Sequence, residues 1–193
     1  MANDFIEFRN YLAKCNDFTN EEEEFIISKF EYKKITKKTF LLQPGEVCTF
    51  EAFVLKGLGI SYMVNESGNK TVLSFASENW WLSDIDSFHD ERASKMFIET
   101  LEDTELLMID LKTKAELLLK VPKLERMYRL LVQRHLIHFQ QRFYSNIALD
   151  GKERYHNFLK SNAPIAQRVP QHLIASYLGI SAEFLSRIRK EKL

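Results

Sequence analysis

The C-terminal stretch constrains the fold most, because it combines two short helical patterns around one tight turn. Residues 170–193 read PQHLIASYLGISAEFLSRIRKEKL. Apolar side chains at helical spacing line one face of each half. These are Leu173, Ile174, Leu178, Leu185 and Ile188. Gly179 suits a left-handed turn residue and Ser181 suits an N-cap, so the stretch predicts a helix-turn-helix motif.

The second helix of this motif presents a polar outward face. The residues on that face are Ala182, Glu183, Ser186, Arg187 and Lys190. An arginine can bond bidentately to guanine in the major groove, and a glutamate can accept a hydrogen bond from cytosine N4. Glu183 and Arg187 are therefore candidate base-reading residues. Alternatively, the two side chains pair with one another on a solvated surface, since they are four residues apart.

The zero net charge of the chain conceals a strong asymmetry. Residues 1–120 carry 14 Lys and Arg against 22 Asp and Glu, whereas residues 121–193 carry 13 against 5. A basic C-terminal part is what binding to nucleic-acid phosphates requires. The alternative is that the two parts attract each other.

The middle of the chain has the pattern of an antiparallel β-structure. Two helical segments, Asp4 to Lys14 and Asn20 to Lys29 with Thr19 as N-cap, come first. From Tyr32 to Asp110, short β-rich runs alternate with turn signals such as Pro44-Gly45. Short strands at this spacing predict a barrel or jelly roll, and the fold class is therefore α+β: an N-terminal antiparallel β-roll with flanking helices.

A long helix is predicted from Pro122 to Ala148, after a shorter one at Leu111 to Lys120. It is apolar on more than one side, so one flank should pack on the roll and another on a second copy of itself. The predicted dimer contacts are Tyr128, Leu131, Val132, His135, Leu136 and Phe139. A further helix at Arg154 to Leu159 and a linker at Ser161 to Pro164 are predicted to lead into the terminal motif.

This order resembles the Crp/Fnr transcription regulators. The resemblance is carried by LLQPGEVCTFEAFVLKGLG (41–59), NESGNK (65–70) and VPQHLIASYLGISAEFLSRIRK (169–190). It implies a cyclic-nucleotide-binding-type sensor roll (1–121), a dimerisation helix (122–148) and a helix-turn-helix DNA-binding domain (149–193). Ala182, Glu183 and Arg187 match positions where the family has Arg, Glu and Arg, so the first arginine is absent and the operator should differ.

The resemblance also implies a ligand pocket in the roll. Its candidate residues are Trp81, Ser83, Asp84, Arg92, Ser94 and Lys95, with Trp80 as a possible wall. Ser83-Asp84 stands where the cyclic-nucleotide members have Gly-Glu, and Arg92 or Ser94-Lys95 stands in the phosphate region. Because neither a placed cation nor a Gly-Glu pair is present, we expect an unidentified small effector and not cyclic AMP.

The longer family members continue into a β-hairpin wing, and the expectation here is the short form without one. Basic residues would then anchor the DNA backbone, including Arg189 and Lys192. The full set of predicted DNA contacts is Arg168, Gln171, Ser181, Ala182, Glu183, Ser186, Arg187 and Lys190. The expected partners are double-stranded DNA and a second copy of the chain, with RNA polymerase as a further candidate.

Other classes of protein fit the sequence less well. The β-region contains only His89, so a three-histidine metal site is not expected, and no GxSxG, HExxH or P-loop spacing indicates an enzyme. Two cysteines, Cys15 and Cys48, are too few for an iron–sulfur cluster, and no certain cofactor or metal site is indicated. A haem would have to use His89 or the helical pair His135 and His138.

No membrane segment or secretory signal is evident, which predicts a cytoplasmic protein. The main rival interpretation is a ligand-binding or protein-interaction module that has lost specific DNA binding.

Overall fold

The computed structural model describes residues 5–191, and it begins with two helices. These are α1 (Ile6–Cys15) and α2 (Asn20–Ile27). The predicted cap is confirmed: the Thr19 hydroxyl accepts from the Glu22 backbone N–H, while the Glu22 carboxylate accepts from the Thr19 N–H. This reciprocal capping box fixes the start of α2.

The β-region forms two four-stranded antiparallel sheets, which confirms the predicted roll. The strands are β1 (Glu31–Ile35), β2 (Phe40–Leu42), β3 (Glu51–Lys56), β4 (Gly59–Val64), β5 (Lys70–Ala76), β6 (Trp81–Leu82), β7 (Phe97–Thr100) and β8 (Thr104–Ile109). One sheet has the order β1-β8-β3-β6 and the other β2-β7-β4-β5. A short helix, α3 (Ile85–Asp90), interrupts the roll between β6 and β7.

Gly57 shows why the turn between β3 and β4 requires glycine. Its φ is +100°, a conformation that L side chains rarely adopt, and a Cβ there would lie 2.7 Å from the Asp103 carbonyl oxygen. The loop before β8 can therefore pass close to this turn, and Glu78 of the β5–β6 loop accepts from the Gly57 N–H at 2.9 Å. A side chain at position 57 would push these segments apart.

The apolar core is divided by the first sheet. Ala52 and Val54 of β3 face the interior of the roll, whereas Phe53 faces a separate cluster beneath α1 and the later helices. This alternation is the two-residue period of a strand. Cys15 and Cys48 are both buried and unpaired within these clusters.

The C-terminal part is helical. It comprises α4 (Leu111–Lys120), α5 (Leu124–Ala148), α6 (Gly151–Ser161), α7 (Ala163–Arg168), α8 (Gln171–Leu178) and α9 (Ala182–Lys190). The terminal motif is confirmed, with Gly179 left-handed at φ 65° and Ser181 capping α9. The linker predicted at Ser161 to Pro164 is shorter in the structure: only Asn162 separates α6 from α7, because Pro164 lies in the first turn of α7, where a missing N–H costs nothing.

The long helix α5 starts slightly later than predicted, at Leu124 and not at Pro122. Among residues 5–191, no helix is long and apolar enough to cross a membrane.

Candidate nucleic-acid interface and cavity

Helix α9 has one face buried against the protein and one face exposed. Leu185 and Ile188 are buried against α8, and the Ser181 hydroxyl accepts from the Phe184 N–H at 3.1 Å. The other predicted contact residues of the helix are all exposed, namely Ala182, Glu183, Ser186, Arg187 and Lys190. The sequence pattern therefore brings these side chains together on one accessible face.

The two candidate base-reading residues are not paired with each other. Within the described residues, no ion pair engages Glu183 or Arg187; the Arg187 guanidinium instead lies 5.4 Å from the centre of the Phe184 ring. Hydrogen bonds from its own backbone N–H and from Ser181 lower the pKa of Glu183. Glu183 therefore stays an ionised acceptor at neutral pH, and both side chains are available to a ligand.

Other charged and polar residues lie next to α9 or on its flank. Lys152 of α6 forms an ion pair with Glu191 at 2.9 Å, just after α9 ends. Gln171 at the start of α8 is half-buried, and its Oε1 has no hydrogen-bond partner among the described residues. Arg189 is exposed on the flank of α9, whereas Lys192 lies outside the described residues.

Arg168 is the clear exception among the predicted DNA contacts. Its guanidinium donates to both carboxylate oxygens of Glu78 at 2.8 and 3.0 Å, and to both of Glu102 at 2.9 and 2.6 Å. Both glutamates belong to the roll. In this arrangement two bidentate carboxylates occupy the donors of Arg168, so its guanidinium is not free for the predicted DNA contact. Sequence alone could not find partners that are 66 and 90 residues away.

A second set of contacts joins the helix-turn-helix to the roll. The Ser176 hydroxyl of α8 donates to the Lys70 carbonyl at 2.6 Å and accepts from the Val72 N–H at 3.0 Å. Arg142 of α5 donates to the carbonyls of Val72 at 2.8 Å and Tyr177 at 3.0 Å. Because Arg142 touches both the edge strand β5 and α8, the long helix is coupled to both parts.

We expect the contact between Arg168 and the roll to weaken at acidic pH. Burial alone would raise the pKa of Glu78, but hydrogen bonds from Arg168 and the Gly57 N–H hold it below the ordinary value of 4.5. A depressed carboxyl pKa stabilises the fold fully above the unfolded pKa, and that stabilisation is lost as the pH falls through the folded value.

Melting temperatures of the natural chain and of Glu78→Gln at a series of pH values would measure this effect. The natural chain should melt at the higher temperature above about pH 5, and the difference should shrink towards about pH 3. A difference that does not change with pH would contradict the assignment, and Glu66→Gln in the exposed β4–β5 turn provides the control.

A cavity of about 900 Å³ lies between the roll and the long helix. Strands β4, β5 and β6 form one wall, α4 and α5 form another, and α7 and α8 close one end. Trp80 forms part of the wall, with its ring stacked on His135 at 4.9 Å and edge-on to His138 at 4.8 Å. Burial lowers the pKa of both histidines, so both rings are neutral at pH 7.

Only part of the predicted pocket set lines this cavity. Trp81 and Ser83 line it. Asp84 and Ser94 are buried but bonded to each other at 2.7 Å, and Asp84 also caps α3 through the Ser87 N–H. Two polar groups that satisfy each other leave no free hydrogen-bonding atom for a ligand phosphate.

The prediction that Arg92 and Lys95 line the pocket was wrong. Both are exposed, and Arg92 pairs with Asp90 on the surface at 3.2 Å. A long cationic side chain gains more from water than from an apolar roll interior, so both point outward.

Sequence reasoning missed the polar residues at one end of the cavity. Glu51 and Lys114 are buried and form an ion pair at 2.8 Å, and the Lys114 ammonium lies 4.1 Å from the centre of the Tyr128 ring. All three line the cavity, and so does His89. Two sequence signals could have indicated these residues: a glutamate within an apolar strand pattern and a lysine within a helical pattern.

The exposed face of α5 carries an apolar stripe. Val132, Leu136 and Phe139 are 58%, 53% and 66% exposed, and Phe143 continues the stripe. The spacing of four, three and four residues keeps these side chains on one face of the helix. Exposed patches of this kind mark interaction surfaces.

The other predicted dimer residues face the protomer itself. Tyr128 is only 7% exposed and packs beside Trp81, so its assignment to the dimer interface was wrong. Leu131 is half-buried against the cluster beneath α1, and His135 is stacked on Trp80. The roll covers this side of the helix, a contact that helical periodicity cannot distinguish from a dimer contact.

Groups of His, Cys, Asp or Glu that could hold a metal ion do not occur within residues 5–191. No family model and no curated protein matches the sequence.

Solved structures, in contrast, resemble most of the chain. The c-di-GMP responsive global regulator CLP from Xanthomonas campestris superposes with a TM-score of 0.73 at 15% identity, covering 90% of this chain and 91% of that one. FixK2 from Bradyrhizobium japonicum gives 0.73 at 15% identity, covering 84% and 83%. A transcriptional regulator of the Crp/Fnr family from Eubacterium rectale gives 0.72 at 16% identity, covering 94% and 87%. The chain therefore has the fold of the Crp/Fnr transcription regulators, with an antiparallel roll, a long helix and a C-terminal helix-turn-helix.

Proposed function

We propose that the chain is a homodimeric, DNA-binding transcription regulator. In this assignment, residues 1–121 form the sensor, 122–148 the dimerisation helix and 149–193 the DNA-binding domain. The observation that carries it is the face of α9, where Glu183, Arg187 and Lys190 are exposed and the opposite face is anchored. A recognition helix needs this division, because it must be held rigidly while its side chains reach base edges.

The proposed dimer uses the apolar stripe on α5. Pairing two copies of this helix about a two-fold axis would cover Val132, Leu136 and Phe139 with their own counterparts. A dimer also presents two α9 helices, as recognition of two half-sites about one helical turn of DNA apart requires. The basic charge of residues 121–193 supports binding to the phosphate backbone.

The proposed effector is a small molecule other than cyclic AMP. A cyclic phosphate needs a cation and free donors near Ser94, yet Arg92 and Lys95 point outward and Ser94 is bonded to Asp84. Occupation of the cavity would act on α5, whose Arg142 bonds to β5 and α8, and so shift the population between two arrangements of the helix pair. The protein would act in the cytoplasm, where RNA polymerase is a further candidate partner.

Titration of the purified protein against a fluorescent random duplex at several salt concentrations tests the proposal. Binding should weaken steeply as salt rises, because each neutralised phosphate releases counterions. Lys190→Ala should reduce the slope of log affinity against log salt by about 1. Lys56→Ala, which removes a lysine of the roll, serves as the control and should leave the slope unchanged. A protein that does not bind duplex at low salt would instead be a module without DNA binding.

A further inference from the structure

The polar end of the cavity contains two buried atoms without partners. The Glu51 Oε2 and the Tyr128 hydroxyl have no hydrogen bond to any described residue, and each residue is only 7% exposed. Both side chains line the cavity. Buried polar groups are nearly always hydrogen-bonded, so two orphans facing one space indicate a missing partner.

The Glu51 side chain points away from the interior of the roll. Glu51 is two residues from Phe53 on β3 and shares its strand face, which points towards α4 and α5 and not into the roll. The partner that Glu51 and Tyr128 lack would therefore sit beneath the long helix.

The local charges argue for a neutral partner. Lys114 already compensates Glu51 through its bond to Oε1 at 2.8 Å. A ligand cation would face Lys114 at short range, and a ligand anion would face Glu51. The other charged or titratable groups here are His89, half-exposed and 3.9 Å from Oε1, Glu125, whose charge acts on Tyr128, and the exposed Arg129. An uncharged group disturbs none of these interactions.

The two orphan atoms also define the required hydrogen-bonding pattern. The Glu51 carboxylate can only accept. The pKa of Tyr128 is raised well above its ordinary value by burial and by the nearby Glu51 charge, so its hydroxyl keeps a proton to donate. A group that donates to one atom and accepts from the other is a hydroxyl or a carboxamide.

The remaining lining next to Glu51 and Tyr128 includes the apolar side chains of Leu118, Leu131 and Val132. The charged Glu125 and Arg129 also line the cavity, but at exposed positions. A cavity of about 900 Å³ has the size of sites that take drug-sized molecules. The body of the ligand should therefore be apolar and of moderate size.

We infer that the cavity binds a neutral, largely apolar molecule whose hydroxyl or carboxamide donates to Glu51 and accepts from Tyr128. This inference deepens the proposed function, because it names the class of effector for the same sensor. Neither side chain was among the residues predicted for the pocket.

Three probes of one shape test the inference on the full-length protein: 2-naphthamide, 2-naphthoate and naphthalene. Ligand-observed saturation-transfer NMR gives the dissociation constant of each. We expect 2-naphthamide to bind about tenfold more tightly than the other two, since two hydrogen bonds are gained without a buried charge. Equal binding of all three, or no detectable binding of 2-naphthamide, would overturn the inference.

Variants then locate the site. Tyr128→Phe should weaken 2-naphthamide binding about three- to tenfold and leave naphthalene unaffected, because only one hydrogen bond is lost. Tyr155→Phe is the matched control, since it removes the hydroxyl of an equally buried tyrosine that does not line this cavity. Both variants keep the ring, so melting curves should show a folded protein.

Glu51→Gln should also weaken binding of 2-naphthamide, by replacing the charged acceptor with a neutral one. Affinity unchanged in both Tyr128→Phe and Glu51→Gln would contradict the inference. These assays contain no DNA, so their failure would leave the DNA-binding proposal intact, and a failed duplex titration would leave the ligand site intact.

Discussion

Leu136→Glu should convert the protein from a dimer to a monomer at micromolar concentration. The side chain lies in the middle of the exposed stripe of α5, and the proposed two-fold axis would place two glutamates together in an apolar seam. Losing the burial of two leucines costs about 3 kcal/mol or more, which corresponds to at least a hundredfold rise in the dimer dissociation constant. The buried like charges would add to that cost.

Sedimentation-velocity centrifugation over a range of concentrations measures the change directly. Gln141→Glu provides the matched control, because it adds the same charge to the same helix, nine residues from Val132 and therefore on the opposite face. A natural chain that sediments as a monomer, or a Leu136→Glu protein that remains dimeric, would show that this stripe is not the interface.

Arg187→Ala should remove most of the preference for a specific DNA site. Arg187 is exposed on α9 and is not held by an ion pair within the described residues, so its guanidinium can reach a guanine edge. A bidentate contact of this kind contributes about 1–3 kcal/mol to discrimination between bases. In a dimer the substitution is present in both recognition helices, so this discrimination energy would be lost at both half-sites.

Competition between a selected duplex and random duplex, followed by fluorescence anisotropy, reports this preference. Arg189→Ala is the control, since it removes the same charge from the flank of α9. We expect the control to weaken binding to both duplexes alike, as a phosphate contact would. Equal discrimination by Arg187→Ala and the natural chain would show that Arg187 does not read bases.

Local sequence signals predicted the parts of the fold that depend on neighbouring residues. The N-cap at Thr19 and the turn at Gly179 involve groups within a few residues of each other, so backbone chemistry specifies them. The alternation of β3 and the apolar faces of α8 and α9 likewise follow from periodicity.

Long-range partners could not be predicted in the same way. Arg168 is a basic residue of the kind that contacts phosphates, yet its guanidinium is bonded to two glutamates of the roll. No sequence signal near position 168 indicates that Glu78 and Glu102 are its partners. Tyr128 has the helical spacing of the residues in the dimer stripe, but it is already buried within its own protomer. Helical periodicity identifies apolar faces and not the element that covers each face.

The candidate sensor shows the same limit. The family resemblance predicted a ligand site at Ser94 and Lys95. In the structure, no cationic side chain at these positions points into the roll. Glu51 and Lys114 are 63 residues apart and meet only because α4 crosses the outer face of β3. Pairs of this kind become evident only in the folded chain.

Selection of bound duplexes from a random-sequence library tests the central claim most directly, that paired α9 helices read DNA. The account predicts enriched sites with two-fold symmetry and half-sites about one helical turn, or 10–11 base pairs, apart. Enrichment of a single asymmetric element, or no enrichment above random sequence, would contradict it.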